Sequence, residues 1–433
     1  MSSPAKCISA ASSAGLRSTR PVLFTSSASS SSPFTIASPA RYRARHRARY
    51  RALSPLSGGP TRATPRRLFS SSPLCRSASS SASASAAASA SASPKRERPP
   101  LPFATVPSCP SPTCACEPMP ELPADLPIDR TSPLNGLIPA YSEQVLVCTG
   151  TSDWPSRIED ANSGDNLAAD IKELFGRGGT YSDPYHHVAV LNASFPPSVP
   201  RLVGLQSSSV YLLPSFTYIP YLPRLSFDAV EALAQAFLLP ARLHPAHDGA
   251  LSPVHRDRLT RKPALRRLFY GVREPIPDVL VLICGHRARD ARCGIVGPVL
   301  QTAFARALGR AGLHVEQGPV EPDDYVGADG DGATTNAPPP PAMQTARRTT
   351  ARVGLVSHIG GHKFAGNVIV YLPPSLRTPD GLAAHPLAGY GVWYGRVEPE
   401  HVEGLVQETV LQGRVVEDHF RGAINQERQI MRL

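Results

Sequence analysis

Between residues 141 and 411, apolar positions follow two rhythms. Short continuous or alternating runs read as strands, and longer stretches with an apolar residue every third or fourth position read as helices. Gln144–Cys148 is a buried-strand run ending at a cysteine. Asn166–Phe175 has helical spacing, with Asn166 or Asp165 placed to cap it. His187–Leu191 and Ser209–Leu213 read as strands, and Ser226–Leu239 as a helix opened by Ser226. Downstream, Asp278–Ile283 predicts a strand that ends at Cys284. Ile295–Ala311 predicts a long helix with Val299, Phe304 and Leu308 on one face. Leu313–Glu316, Val353–Val356, Asn367–Tyr371 and Gly391–Val397 follow as strands, and Pro399–Leu411 as a final amphipathic helix.

The two series echo each other. VLVC at 145–148 parallels VLIC at 281–284, and VYLLPSF at 210–216 parallels VYLPPSL at 370–376. The expected fold class is α/β, with two thioredoxin-like halves. The N-terminal half, 141–240, is degenerate, and the C-terminal half, 278–425, keeps metal ligands. A different strand order in 141–240 would break the duplication. Residues 241–277, rich in His and Arg, read as a linker. Residues 99–140 form a Pro-rich arm carrying Cys109, Cys114 and Cys116, and 321–350, with four consecutive prolines, read as a disordered insertion.

Charge changes the picture at the N-terminus. Residues 1–98 hold 16 Lys or Arg and one acid, Glu97; against a total of +11, the leader is +15 and the remainder −4. A Ser/Ala/Arg-rich, acid-free segment has the composition of a mitochondrial targeting peptide, drawn through a membrane that is negative inside. Arg66–Ser70 resembles a matrix-protease site, and the Ser/Ala tract 77–93 has no apolar period. The composition leaves matrix and intermembrane space undivided. The mildly acidic remainder has no basic stripe with interleaved aromatics, which argues against nucleic acid as a partner. No apolar run is long enough for a transmembrane helix.

Eight cysteines in a chain of 433 residues do not make a disulfide framework. Chemistry concentrates in two segments. Cys284-Gly-His-Arg-Ala-Arg-Asp-Ala-Arg-Cys293 is a C-x8-C loop between a buried strand and a helix, and His358-Ile-Gly-Gly-His362 is an H-x3-H turn after a strand. Two thiolates and two imidazoles suit zinc or an iron–sulfur centre. Structural zinc usually takes its cysteines from tighter knuckles, and two Cys with two His is the ligand count of a Rieske-type [2Fe–2S] centre. Arg287, Arg289 and Arg292 would lower the thiol pKa values, offer a docking face to an acidic redox partner, or simply form a solvated loop. Cys148 reads as core, His286 as a hydrogen-bonding neighbour of the centre or a solvent-facing residue, and Trp393 and Tyr394 as packing.

At these residues the chain resembles the sucrase/ferredoxin-like family, and within it the fungal altered-inheritance-of-mitochondria branch. The matching stretches are LICGHRARDARCGIVGP (282–298), SHIGGHKFAGNVIVYL (357–372), VWYGRV (392–397), the late RG (421–422) and Cys114-Ala-Cys116. The resemblance spans roughly residues 110–425, apart from the insertion. It implies a thioredoxin-like ferredoxin whose [2Fe–2S] cluster is bound by Cys284, Cys293, His358 and His362. It also implies mitochondrial redox quality control, touching protein import or thiol oxidation. No carboxylate pair argues for glycoside hydrolysis.

Three functions compete. The first is an electron-transfer or redox-sensing protein with an unnamed protein partner and no catalytic residues. The second is a thiol–disulfide oxidoreductase using Cys114 and Cys116. The third is a zinc-stabilised interaction module.

Overall fold

The computed structural model describes residues 101–113, 115–161, 165–200, 204–321 and 349–433. The leader at 1–98, Cys114 and nearly all of the 321–350 insertion lie outside the described residues. The arm contributes a short strand, β1 (Ala104–Val106), and buries Phe103, Leu134 and Ile138 against the fold. The first half then runs β2 (Glu143–Cys148), α1 (Leu167–Phe175), β3 (Val188–Ala193), β4 (Ser207–Leu213), β5 (Thr217–Pro223) and α2 (Phe227–Leu233). Helix α3 (Pro253–Leu259) follows. The second half runs β6 (Val279–Cys284), α4 (Ala291–Arg310), β7 (His314–Val315), β8 (Thr350–Val356), β9 (Val368–Tyr371), β10 (Gly391–Tyr394) and α5 (Val402–Leu405). Strands β11 (Arg414–Val416), β12 (Phe420–Ile424) and β13 (Ile430–Met431) complete the chain.

Among the described residues, one sheet of eleven strands has the order β13-β12-β10-β9-β6-β8-β3-β2-β4-β5, with β7 beside β8. In the first half, β2 lies parallel to β3 and antiparallel to β4, which is antiparallel to β5. In the second, β6 lies parallel to β8 and antiparallel to β9, which is antiparallel to β10. The orders β3-β2-β4-β5 and β8-β6-β9-β10 are therefore the same. Helices follow the first and fourth strand of each set, and both of the later ones, α2 and α5, run on into a π-helical turn. The halves join edge to edge, with Ala193 of β3 opposite Val356 of β8.

Continuous apolar runs mark the strands covered on both faces. In β6, Val279, Val281 and Ile283 pack into one core layer, and Leu280, Leu282 and Cys284 into the opposite one. The first half keeps a third cluster between its own sheet face and α1 and α2. Capping fixes where the helices begin. Asn166 accepts the Ala169 N–H at 3.1 Å, and Asp290 accepts the Arg292 N–H at 3.0 Å.

Several expectations need correction. The long helix starts at Ala291 rather than Ile295, because Asp290 caps it through a stretch with little apolar spacing; Cys293 thus sits in its first turn. Strand β5 escapes the sequence pattern because Pro220 and Pro223 interrupt it. Proline is tolerated there because β5 is at the sheet end, paired only with β4 and a bridge from Tyr218 to Arg273. The 241–277 segment is no open linker: it carries α3 and buries Leu259 and Phe269 in the first half's core. After Leu411 the chain continues into three strands, of which β12 is fully buried.

Candidate metal centre

The site lies where β6 hands over to α4. Cys284 ends the strand, Cys293 occupies the first helical turn, and both are buried and form no disulfide. Close packing makes this handover compact. A Cβ on Gly297 would stand 2.9 Å from the Gly285 Cα and 3.0 Å from the Cys284 oxygen. The two thiols titrate as a pair. A hydrogen bond from Cys293, with further ones from His358 and the Ile359 N–H, holds Cys284 well below the ordinary thiol range despite its burial. Cys293 keeps its proton and is pushed up, first by that same bond and then by burial.

The H-x3-H segment follows β8, and its first histidine, His358, hydrogen-bonds to Cys284. Gly360 and Gly361 both adopt the left-handed conformation, at φ +81° and +75°, which turns the chain back sharply. The turn brings the rings of His358 and His362 to 5.2 Å between centroids. The Nδ1 atoms of both rings are buried without a hydrogen-bond partner. Burial lowers the His362 pKa, and Arg292 and Arg289 act in the same direction against Asp290. The sulfurs and the unpaired imidazole nitrogens form a donor set that suits zinc or an iron–sulfur centre. Among the described residues, no three His, Cys, Asp or Glu side chains converge as a site for a single metal ion.

Three buried side chains hold these elements, and sequence pattern identified none of their contacts. His286 is buried inside the C-x8-C loop. Its Nε2 lies 3.0 Å from the carbonyl oxygens of both Trp154 and Pro155, and its Nδ1 accepts the His358 N–H at 3.1 Å. That pattern fixes the tautomer with the proton on Nε2. Asn367 donates to the Gly361 carbonyl at 2.9 Å. Arg421, from β12, donates to the Gly360 carbonyl at 3.1 Å and to Asn367 Oδ1 at 2.7 Å. A late RG pair in the sequence was the sole signal for Arg421, and it carried no role.

The arginines of the loop separate. Arg292 is buried, pairs with Asp290 at 2.9 Å and donates to the Pro127 carbonyl at 2.8 Å, so it pins the arm rather than offering a docking face. Arg287 and Arg289 are exposed. Cys148 is buried, and burial pushes its thiol pKa up. Trp393 and Tyr394 are buried packing residues, and Trp393 donates to the Tyr141 hydroxyl at 3.1 Å. Cys116 is half-buried in the arm. Beside His358 and the Gly360–Gly361 turn opens a cavity of about 810 Å³, walled by Ile171, Val190 and Trp393.

The sucrase/ferredoxin-like family profile matches residues 134–422, which includes both halves, the C-x8-C loop, the H-x3-H turn and Arg421. The chain belongs to the sucrase/ferredoxin-like family. Curated relatives lie in the same group. "Altered inheritance of mitochondria protein 32" of Debaryomyces hansenii is 28% identical over 317 residues, covering 72% of this chain and 93% of that protein. The protein of the same name from Clavispora lusitaniae is 28% identical over 327 residues, covering 74% and 97%. "Actin patches distal protein 1" of Saccharomyces cerevisiae is 31% identical over 131 residues, 30% of this chain and 29% of that protein. No solved structure matches the chain at a significant level. This family member is mixed α/β, and no helix among its described residues is long and apolar enough to cross a membrane.

Proposed function

We propose that this sucrase/ferredoxin-like protein is a mitochondrial redox protein that holds a [2Fe–2S] cluster through Cys284, Cys293, His358 and His362. One observation carries the reading. Two buried thiols, one favoured as thiolate, adjoin two imidazoles whose buried Nδ1 atoms have no partner. A buried nitrogen without a hydrogen bond costs free energy, and a metal bond is one way to offset it. Two Cys with two His is the ligand count of a Rieske-type two-iron centre, whereas structural zinc usually draws its cysteines from tighter knuckles than C-x8-C.

When bound, such a cluster takes up and gives back one electron, at a potential raised by neutral imidazole ligands. The chain's own residues hold and shield the place. Cys284 and Cys293 would supply the sulfur ligands from a strand end and a helix start. His286 orients the His358 backbone, and Gly360–Gly361 bends the loop so that the two imidazoles come together beside Cys284's partner His358. Repeated strand order in each half, a βαβ unit followed by an antiparallel ββα unit, supports a thioredoxin-like ferredoxin fold. The relatives' name and the basic leader support a mitochondrial address.

The test is anaerobic purification of the full chain, with visible and EPR spectra recorded beside a His358→Cys, His362→Cys variant. We expect Rieske-type g-values in the wild type and ferredoxin-type values in the variant. A colourless wild-type protein with stoichiometric zinc would overturn the reading.

A further inference from the structure

We infer that Arg421 is the counter-charge of the metal centre, a positioning residue that clamps the Gly360–Gly361 turn and whose positive charge raises the centre's affinity for an electron. This rests on the iron–sulfur reading above and adds a determinant of potential outside the four ligands.

Arg421 is 2% exposed and lies on β12, one strand in from the sheet's end. Its Nε and Nη2 donate to the Leu137 carbonyl at 3.0 and 2.6 Å, and its Nη1 donates to the Gly360 carbonyl at 3.1 Å and to Asn367 Oδ1 at 2.7 Å. The charge stands 5.6 Å from the centroid of the Trp393 ring. These acceptors are all neutral, and among the described residues no carboxylate forms an ion pair with Arg421. A buried charge with hydrogen bonds but no counter-ion is costly, and buried arginines are ordinarily paired.

The turn it clamps lies between His358 and His362, so its charge stands next to the residues that would hold the centre. Against the cost of burial, Cys284 and Cys293 are near enough to favour its charged form. The turn is shaped on this side chain: a Cβ on Gly361 would meet Nη2 at 2.9 Å. The planar fork reaches acceptors on three segments (the arm, the turn and β9's approach), which a lysine ammonium cannot do together. A fixed cation beside a group that gains an electron stabilises the reduced form, strongly where water is excluded.

The experiment is a mediated one-electron potentiometric titration followed by EPR on the full chain, comparing wild type with Arg421→Gln, Arg421→Lys and Asn367→Asp. Hydrogen exchange of residues 357–367 is read in parallel. We expect Arg421→Gln to keep the wild-type g-values but lower the midpoint potential. Arg421→Lys should stay near the wild-type potential while exchange in the turn speeds up. Asn367→Asp, which sets a carboxylate against the intact guanidinium, should lower the potential as well. Faster exchange in Arg421→Gln with an unmoved potential would make Arg421 a structural clamp and overturn the inference. If Arg421→Gln does not fold, an unmoved potential in Asn367→Asp overturns it equally. A colourless wild type would overturn the iron–sulfur reading and this inference with it, whereas a coloured wild type with unmoved potentials would sink this inference alone.

Discussion

The two halves of the sheet put the same frame to different uses. Each starts with a buried strand ending in a cysteine, Cys148 on β2 and Cys284 on β6. Each then enters a capped helix, but the third helical position is Ala169 in α1 and Cys293 in α4. After the parallel partner strand, the first half has Ser194-Phe195-Pro196-Pro197 and the second has the His358–His362 turn. Strand order is shared; donors are not. The frame therefore does not make the site, which needs its donor residues in addition. The first half is not idle, however. The loop after β2 supplies the Trp154 and Pro155 carbonyls to His286, and Asp153 Oδ1 accepts the Ala288 N–H at 3.3 Å. The segment that corresponds to the C-x8-C loop has become a prop for it.

The largest effect expected from this contrast is on iron. Cys284→Ser should abolish bound iron and the visible absorbance, while Cys148→Ser should keep both, as measured by iron content per folded chain. Retention of iron in Cys284→Ser would erase the distinction between the halves.

The next contrast lies in the connections. The first half joins β4 to β5 by a tight turn, whereas the second joins β9 to β10 through residues 372–390, which bury His385. Its Nδ1 accepts the Leu387 N–H at 3.2 Å, and burial lowers its pKa to about 4. A depressed histidine pKa means that the unfolded chain binds the proton more tightly. The stability this group contributes is complete above about pH 6.5 and is lost as pH falls through about 4, by up to about 3 kcal/mol. Denaturant titrations from pH 7 to pH 4 should show that decline in the wild type, with a shallower slope in His385→Gln. Equal slopes would refute it.

The smallest effect concerns the prop. His286→Leu removes the acceptor of the His358 N–H and leaves the Trp154 and Pro155 carbonyls without their donor. It should cost about 1–3 kcal/mol and speed hydrogen exchange at His358. Arg289→Ala, at an exposed position of the same loop, should stay within about 0.5 kcal/mol. Matching losses in the two variants would show that His286 is not a support.

Local signals determined much of this protein in advance. Apolar runs placed β2, β6, β8 and β9, because the central stretch of a strand covered on both faces is nearly continuously apolar. Helical spacing placed α1, and the echoed VLVC/VLIC and VYLLPSF/VYLPPSL segments pointed to two series with a common order. The spacing of Cys284, Cys293, His358 and His362 singled out the candidate donors. Tertiary structure decided what depends on groups far apart in sequence. Pro220 and Pro223 look like strand breakers until β5 lies at the sheet's end, where a missing N–H matters little. Residues 241–277 look like a linker until Leu259 and Phe269 are seen packed on the first half. The C-x8-C loop and the RG pair marked His286 and Arg421, but not their partners, which are carbonyls from other segments: Trp154 and Pro155 for one, Leu137 and Gly360 for the other. A backbone carbonyl is the same in every residue, so the sequence cannot mark which one a buried side chain will meet; only the folded chain brings them together.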